Sequence, residues 1–456
     1  MKSCGEPYSR RRRGWIACLL LAAASAAPAA DEGGGASAPV PPEAIVRAAL
    51  EHSLRLRSAD RDLDAAAARK AQAAAQARPS LDLGLGAYRY EGLRDAPLGP
   101  GLVIPALENR FSASISASQP LYTGGRIRAQ EEAASLRSAA ARFARRGAEA
   151  DVVLDALTAY WNWSKAFHGE EALRAAVARM EAHDADMQTL LETGMATDNE
   201  TLATAVLLDQ TRLRLDEARR RIELARARLA FLTGRDWPAD AVPERAAIRG
   251  DAPVPAEGEL LETARRARPE LVSLRAEAAE AEAAVKVSRS ALAPQLVLLA
   301  RYEEARPNNL FFPPEDRWDD DAFVGAALTW NLFDAGLARA KVAEARARAR
   351  QAALRVEQAA EGIALEVREA RIALRDALDR IAVVDRVVQS AKRNLGAASD
   401  LWQAGLARHS DILDAHSQLT DAEYQAVAAR ADAALAAAAV DHAAGRAATA
   451  AAAAAP

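Results

Sequence analysis

The chain has 456 residues, 27% of them charged, and its 59 Lys and Arg are nearly balanced by 63 Asp and Glu for a formal charge of −4. A mildly acidic chain lacks the basic excess that nucleic-acid binders carry, so no nucleic-acid partner is expected. The only two cysteines, Cys4 and Cys18, both lie in the first thirty residues, which excludes disulfide staples and thiol chemistry from everything that follows.

Residues 1–30 read as a secretory signal: Arg10 to Arg13 form a charged start, Trp15 to Ala24 a short apolar stretch, and Ala24 to Ala30 a small-residue cleavage context. Removing them takes away five cations and one acid and leaves a formal charge of about −8. The small residue before Cys18 is what lipid processing needs, but too few apolar residues precede it, so Cys18 is not expected to carry a lipid. No later run reaches the roughly 18 apolar residues of a membrane-spanning helix.

After a linker over 31–41, the sequence states one pattern twice. Gln119-Pro-Leu-Tyr-Thr-Gly-Gly125 corresponds to Trp330-Asn-Leu-Phe-Asp-Ala-Gly336, and Gly194 before Glu200 corresponds to Gly405 before Asp411, all at an offset of 211 positions. The chain therefore reads as two internal repeats, 42–233 and 256–445, joined by a Pro-rich irregular connector at 234–255.

The first repeat opens with a helix over 42–77 closed by Pro79. A segment whose period changes from 3.6 to 2 follows. Leu81, Leu83 and Leu85 alternate with Asp82, Gly84 and Gly86, and Phe111, Ala113, Ile115 and Ala117 alternate with four serines. This predicts a β-hairpin over 80–122. A Pro-free tract then predicts a long helix over 124–193, a tip turn at Gly194 and a helix over 200–233. The second repeat runs likewise: a helix from Ala256 to Leu292 closed by Pro294, with its regular part from Pro269, a hairpin over 295–333, a long helix over 335–404 and a helix over 411–444. Its strand from Gln295 to Tyr302 alternates least well. The tail, 446–456, is expected to be disordered.

A 70-residue helix is about 100 Å long, several times the usual length, which points to a tube rather than a compact enzyme. The two shorter helices of each repeat together match the long one, so they can stack end to end beside it. Ile363, Val367, Ala370, Leu374, Leu378, Ile381 and Val384 advance by threes and fours, the stripe of a coiled coil. Strands of 10 to 12 residues with a dyad pattern have the length to cross an outer membrane. Four strands cannot close a lipid-facing barrel. Three copies supply twelve.

The fold class expected is thus mainly α with a small transmembrane β part, a long antiparallel coiled-coil barrel continuing into a β-barrel shared by a trimer. The chain resembles the TolC-like outer-membrane efflux proteins, most specifically in Gln119 to Arg126, Leu328 to Gly336, Arg268-Pro-Glu-Leu271 and Gly405 to Ala415. The resemblance implies a homotrimer in the cell outer membrane with a periplasmic tunnel, and a passive exit duct of a tripartite efflux or type I secretion system. It also implies docking to a periplasmic adaptor and an inner-membrane transporter. By the same resemblance Asp411 and Asp414, on one face of the last helix, line the periplasmic aperture, and the tip turns with Thr193, Gly194, Gly405 and Leu406 dock the adaptor. The alternative is an exported coiled-coil adaptor or structural envelope protein without a pore.

No phosphate loop, nucleophile elbow or paired catalytic acids appear, so neither enzymatic activity nor a cofactor is expected. Six histidines are scattered without metal-site spacing. His183 beside Asp184 and Asp186, and His409 beside Asp411, read as solvated helix positions rather than metal ligands. Tyr160, Trp161 and Trp163 read as interhelical packing.

Overall fold

The computed structural model describes residues 39–99, 102–104, 106–312 and 314–446. The leader, Cys4, Cys18 and the tail after Arg446 lie outside these residues.

Among the described residues eight α-helices and six strands follow one another as α1 (Pro42–His52), α2 (Leu54–Ala75), β1 (Ser80–Arg89), β2 (Ala96–Gly99), β3 (Leu102–Ile104), β4 (Asn109–Tyr122), α3 (Arg126–Glu192), α4 (Asp198–Thr233), α5 (Glu257–Ala267), α6 (Pro269–Arg289), β5 (Gln295–Arg306), β6 (Asp319–Thr329), α7 (Leu337–Gln403) and α8 (His409–Ala443). The opening stretch of each repeat is two helices, a break expected in the second repeat at Pro269 but not in the first. In the first repeat the break is at Ser53, whose side chain accepts from the Leu56 amide and starts α2. In the second, Pro269 cannot donate to the preceding turn, so α6 begins there.

α3 and α7 contain 67 residues each, about 100 Å of rod. α2 and α6 flank the half of α3 near the strands, α4 and α8 flank its other half, and α7 packs along α6 and α8. The result is a sheet of helical columns with α2 and α4 at one edge and α7 at the other. Its seams are Ala-rich, with Ile363, Val367, Leu374, Leu378, Ile381 and Val384 of α7 all buried. Small side chains let the axes approach closely, which favours a wall one helix thick over a globule.

A thicker waist sits where α1 and the connector cross the columns. Tyr160 and Trp163 of α3 are fully buried there with Ile45, Val46 and Leu229. The Tyr160 hydroxyl donates to the Val40 carbonyl at 2.7 Å and accepts from the Glu244 amide at 2.9 Å, pinning both strap segments to the rod. Burial drives the Tyr160 pKa well above its ordinary value.

The main sheet is antiparallel in the order β1-β4-β5-β6. Antiparallel ladders join Ser80 to Ser118, Tyr122 to Leu296 and Gln295 to Thr329, the β4–β5 register shifting between Pro120 and Tyr122. All four helix connections leave from this one end. At the other end the small β2–β3 hairpin caps the first loop. Among the described residues β1 and β6 have no partner on their outer sides.

Candidate functional site

Register decides which side chains share a face. Leu81, Leu83 and Leu85 stand opposite Ala117, Ile115 and Ala113, and these oppose Ala300, Tyr302 and Glu304. Across β6 the row continues through Val324, Ala322 and Asp320, and Ala326 and Leu328 extend the same face towards the helices. On that face Leu83, Leu85 and Val324 are 70–77% exposed. A contiguous apolar surface of this size is what a bilayer covers. β5, which alternates poorly as a sequence, acquires its two faces only from its neighbours.

The opposite face carries Asp82, Ser112, Ser114, Ser116, Arg301 and Glu303. Arg301 and Arg110 both pair with the buried Glu303. The polar-in, apolar-out division is that of a water-filled barrel. Exposed aromatics ring the apolar band at both ends: Tyr122, Trp330 and Phe333 near the helices, and Phe111 and Trp318 near the loops. Along β4 the rings are 11 residues apart, a height of about 25–30 Å for a tilted strand, the thickness of a hydrocarbon core.

Far from the sheet, the helical tips are built by one motif used twice. At the first, the Met195 amide donates to Leu190 O at 2.8 Å and the Gly194 amide to Leu191 O at 3.0 Å. At the second, Leu406 donates to Leu401 O and Gly405 to Trp402 O at 2.8 and 2.9 Å. Gly194 and Gly405 take φ of +72° and +71°, the left-handed cap that glycine adopts without a Cβ penalty. The residue after each glycine, Met195 or Leu406, is 73% or 76% exposed. Thr193 returns its hydroxyl to the Thr189 carbonyl at 3.1 Å.

The expected aperture pair separates into two roles. The Asp411 carboxylate accepts from the Arg408 amide at 3.0 Å and so caps α8. Its counterpart Glu200 does the same for α4, where the Thr197 amide and hydroxyl hold the carboxyl below its ordinary range. Asp414 is exposed and makes no hydrogen bond or ion pair among the described residues.

The histidines near the tip correct the sequence reading. His183 and His409 are buried, 8% and 6% exposed, not solvated. Their rings lie 5.4 Å apart, His416 is 5.3 Å from His183, and Trp402 closes the group at 5.9 and 5.7 Å. Thr204 bonds His409 Nε2 at 2.8 Å. Four helices contribute, and the seven-residue step from His409 to His416 was the one sequence sign that both share a face of α8. Burial pushes all three imidazoles down, and His416, also facing His183 and Arg179, reaches about 4. Among the described residues no group of three His, Cys, Asp or Glu side chains is arranged to hold a metal ion.

A profile of outer membrane efflux proteins matches residues 45–235 and 260–446, both repeats almost end to end. The chain belongs to this family. It is a family of outer-membrane ducts of tripartite efflux systems, so the exposed leucine face lies in the outer membrane and the helical columns form a periplasmic tunnel. Solved structures with the same fold include the Campylobacter jejuni CmeC outer membrane channel, at 19% identity and TM-score 0.76 over 89% of this chain and 85% of that one. VceC from Vibrio cholerae matches at 21% and 0.73 over 89% and 96%. The open state of the Neisseria gonorrhoeae MtrE outer membrane channel matches at 20% and 0.72 over 89% and 88%. No curated protein sequence matches significantly.

Proposed function

We propose that three copies of this chain close into one passive exit duct whose tips dock a periplasmic adaptor fed by an inner-membrane transporter. The observation that carries the reading is the coincidence of free edges. β1 stands above α2 on one side of the subunit, and β6 leads into α7 on the other. Both strand edges are unpaired, which lipid does not tolerate. Both helical edges are apolar: α4 exposes Leu202, Leu213 and Phe231, and α7 exposes Leu354, Leu365 and Ile372. Two different complementary edges on one subunit generate a ring. Twelve strands are enough to surround a lumen.

Met195 and Leu406 support tip docking. In this kind of helix end the residue after the glycine ordinarily packs back on the helix, yet here both apolar side chains face outward, leaving six such side chains per ring for an adaptor. Asp414, exposed and unpaired one turn from the tip, suits an acidic aperture better than Asp411, which is occupied as a cap.

The duct should fractionate with the outer membrane, run as a heat-sensitive trimer and conduct in planar bilayers. In Asp414→Asn the cation preference should fall while Asp411→Asn chiefly loosens the start of α8. A stable water-soluble monomer without conductance would refute the duct. Unchanged conductance and ion preference in the double variant would refute the aperture assignment.

A further inference from the structure

The four strand-to-helix passages put an unusual concentration of charge beside the membrane. Within about 6 Å of the helix ends stand Arg78, Arg126, Arg128, Lys286, Arg289, Arg339 and Lys341, and the acids set against them are Asp334 and Glu132. Asp334 is already committed, accepting from the Gly336 and Ala338 amides at 3.0 and 2.7 Å. Farther down the tunnel cations meet acids: Arg145 meets Asp60, Lys165 meets Asp432 and Arg179 meets Glu423, each at 2.9 Å. At the collar only Lys286 has a carboxylate, Glu132 at 2.8 Å. Arg126 bonds to the neutral Gln76 and Gln130, and the other five have no partner among the described residues. In a chain of net negative charge this is a local cationic excess that Glu132 neutralises only in part.

Part of the collar is a groove. Where α3 begins and α6 ends, Arg128, Lys286 and Arg289 surround a cavity of about 290 Å³ floored by Gly124, Gly125 and Ser290, with Glu132, the partner of Lys286, as its one acid, room for about ten waters. The floor is close-packed: a Cβ on Gly124 would stand 2.6 Å from Ala293 Cβ. Directly above lies the aromatic ring of Tyr122, Trp330 and Phe333, with exposed Leu292 beside it. Such rings sit at the depth of lipid headgroups, so the cations below it are at the depth of the phosphates.

We propose that this collar, centred on the Arg128–Lys286–Arg289 groove, binds anionic phospholipid headgroups of the periplasmic leaflet. The occupant follows from chemistry and position together: phosphate esters match the charge, and the acyl chains of a molecule held there would run up the leucine face of the barrel. Arg128 and Arg339 occupy the same position in the two repeats, so the ring of sites continues around the duct. Each cation near an anionic surface contributes about fivefold in affinity. The inference rests on the outer-membrane reading, and conductance keeps the two apart.

The test uses the delipidated detergent-solubilised trimer titrated with phosphatidylglycerol, with phosphatidylcholine and with inorganic phosphate, read by native mass spectrometry and thermal stability. Phosphatidylglycerol should bind at least tenfold more weakly to Arg128→Gln/Lys286→Gln/Arg289→Gln than to wild type, while both conduct equally. Inorganic phosphate at the same concentration should leave stability unchanged. A lower pair, Arg346→Gln/Arg350→Gln, should keep wild-type lipid affinity. Equal phosphatidylglycerol binding by the triple variant, equal binding of phosphatidylcholine by wild type, full competition by inorganic phosphate, or as large a loss in the lower pair would each overturn the proposal. If the triple variant fails to assemble, Arg289→Gln alone decides it, with about a fivefold weakening expected and no change refuting.

Discussion

Acid should loosen the periplasmic tip, and His416 sets how much. Its imidazole lies among α3, α4, α7 and α8, facing His183 and Arg179 of α3 and the neighbourhood of His409 and Trp402, with Asp184, Asp186 and Glu200 as the nearest carboxylates acting on the cluster. Burial holds it neutral down to a pKa of about 4. In the unfolded tip the same group takes a proton near pH 6.5. A depressed histidine therefore leaves stability intact above pH 6.5 and removes it as pH falls toward 4. Each pH unit in that window removes about 1.4 kcal/mol, so at pH 4.5 the tip is weaker by about 2–3 kcal/mol from His416 alone. His183 and His409 act in the same direction. Hydrogen exchange in 180–192 and 398–420 should accelerate by about a hundredfold between pH 7 and 4.5 beyond the intrinsic change, and His416→Gln, which does not titrate, should lose most of that acceleration. Identical pH profiles for the two proteins, or tighter protection in acid, would refute the argument.

The opposite slope is expected at the waist. His442 bonds Asp151 at 2.9 Å and approaches Glu366, which Arg268 also holds at 2.7 Å. The Glu366 carboxylate raises its pKa, so this tie is full below pH 6.5 and is lost as pH rises through the elevated value. Exchange near Leu271 and Val440 should thus quicken on the alkaline side, and not in Glu366→Gln. Gly124→Ala, forced against Ala293 and the Ser290 carbonyl at a φ of +62°, should cost about 2–3 kcal/mol and lower the trimer melting temperature. Leu83→Arg, on the lipid face, should impair membrane assembly by about 2–4 kcal/mol, measured as reduced trimer in the outer-membrane fraction, whereas Ser114→Arg on the lumen face should assemble and shift conductance. Thr197→Ala should fray the start of α4 by about 1 kcal/mol, read by exchange at Glu200 and Thr201.

Much of the architecture was legible because periodicity is local. The alternation in 80–89 and 109–122, the Pro-free tracts and the two tip glycines each follow from neighbours in sequence, and Gly194 and Gly405 adopt the conformation that their position demands. β5 was harder to read since a strand with Arg301, Glu303 and Glu304 between apolar residues shows its two faces only when laid against β4. The break at Ser53 was hidden, one residue interrupting an otherwise helical pattern, whereas Pro269 marked its own break. At the candidate site, Asp411 reads identically as cap or aperture in sequence, and its bond to the Arg408 amide assigns the first role at least.

What the amino-acid order by itself determined is the set of rods and ribbons, their lengths and their twofold repetition, since helix and strand periods depend on residues only a few positions apart. What tertiary structure alone decided is which distant residues share an environment. His183 and His409 lie 226 positions apart, and their burial together depends on two rods crossing at one height. Arg128, Lys286 and Arg289 form one groove of net positive charge only because α3 starts where α6 ends. Burial and electrostatics are sums over neighbours in space, and no spacing along the chain encodes them.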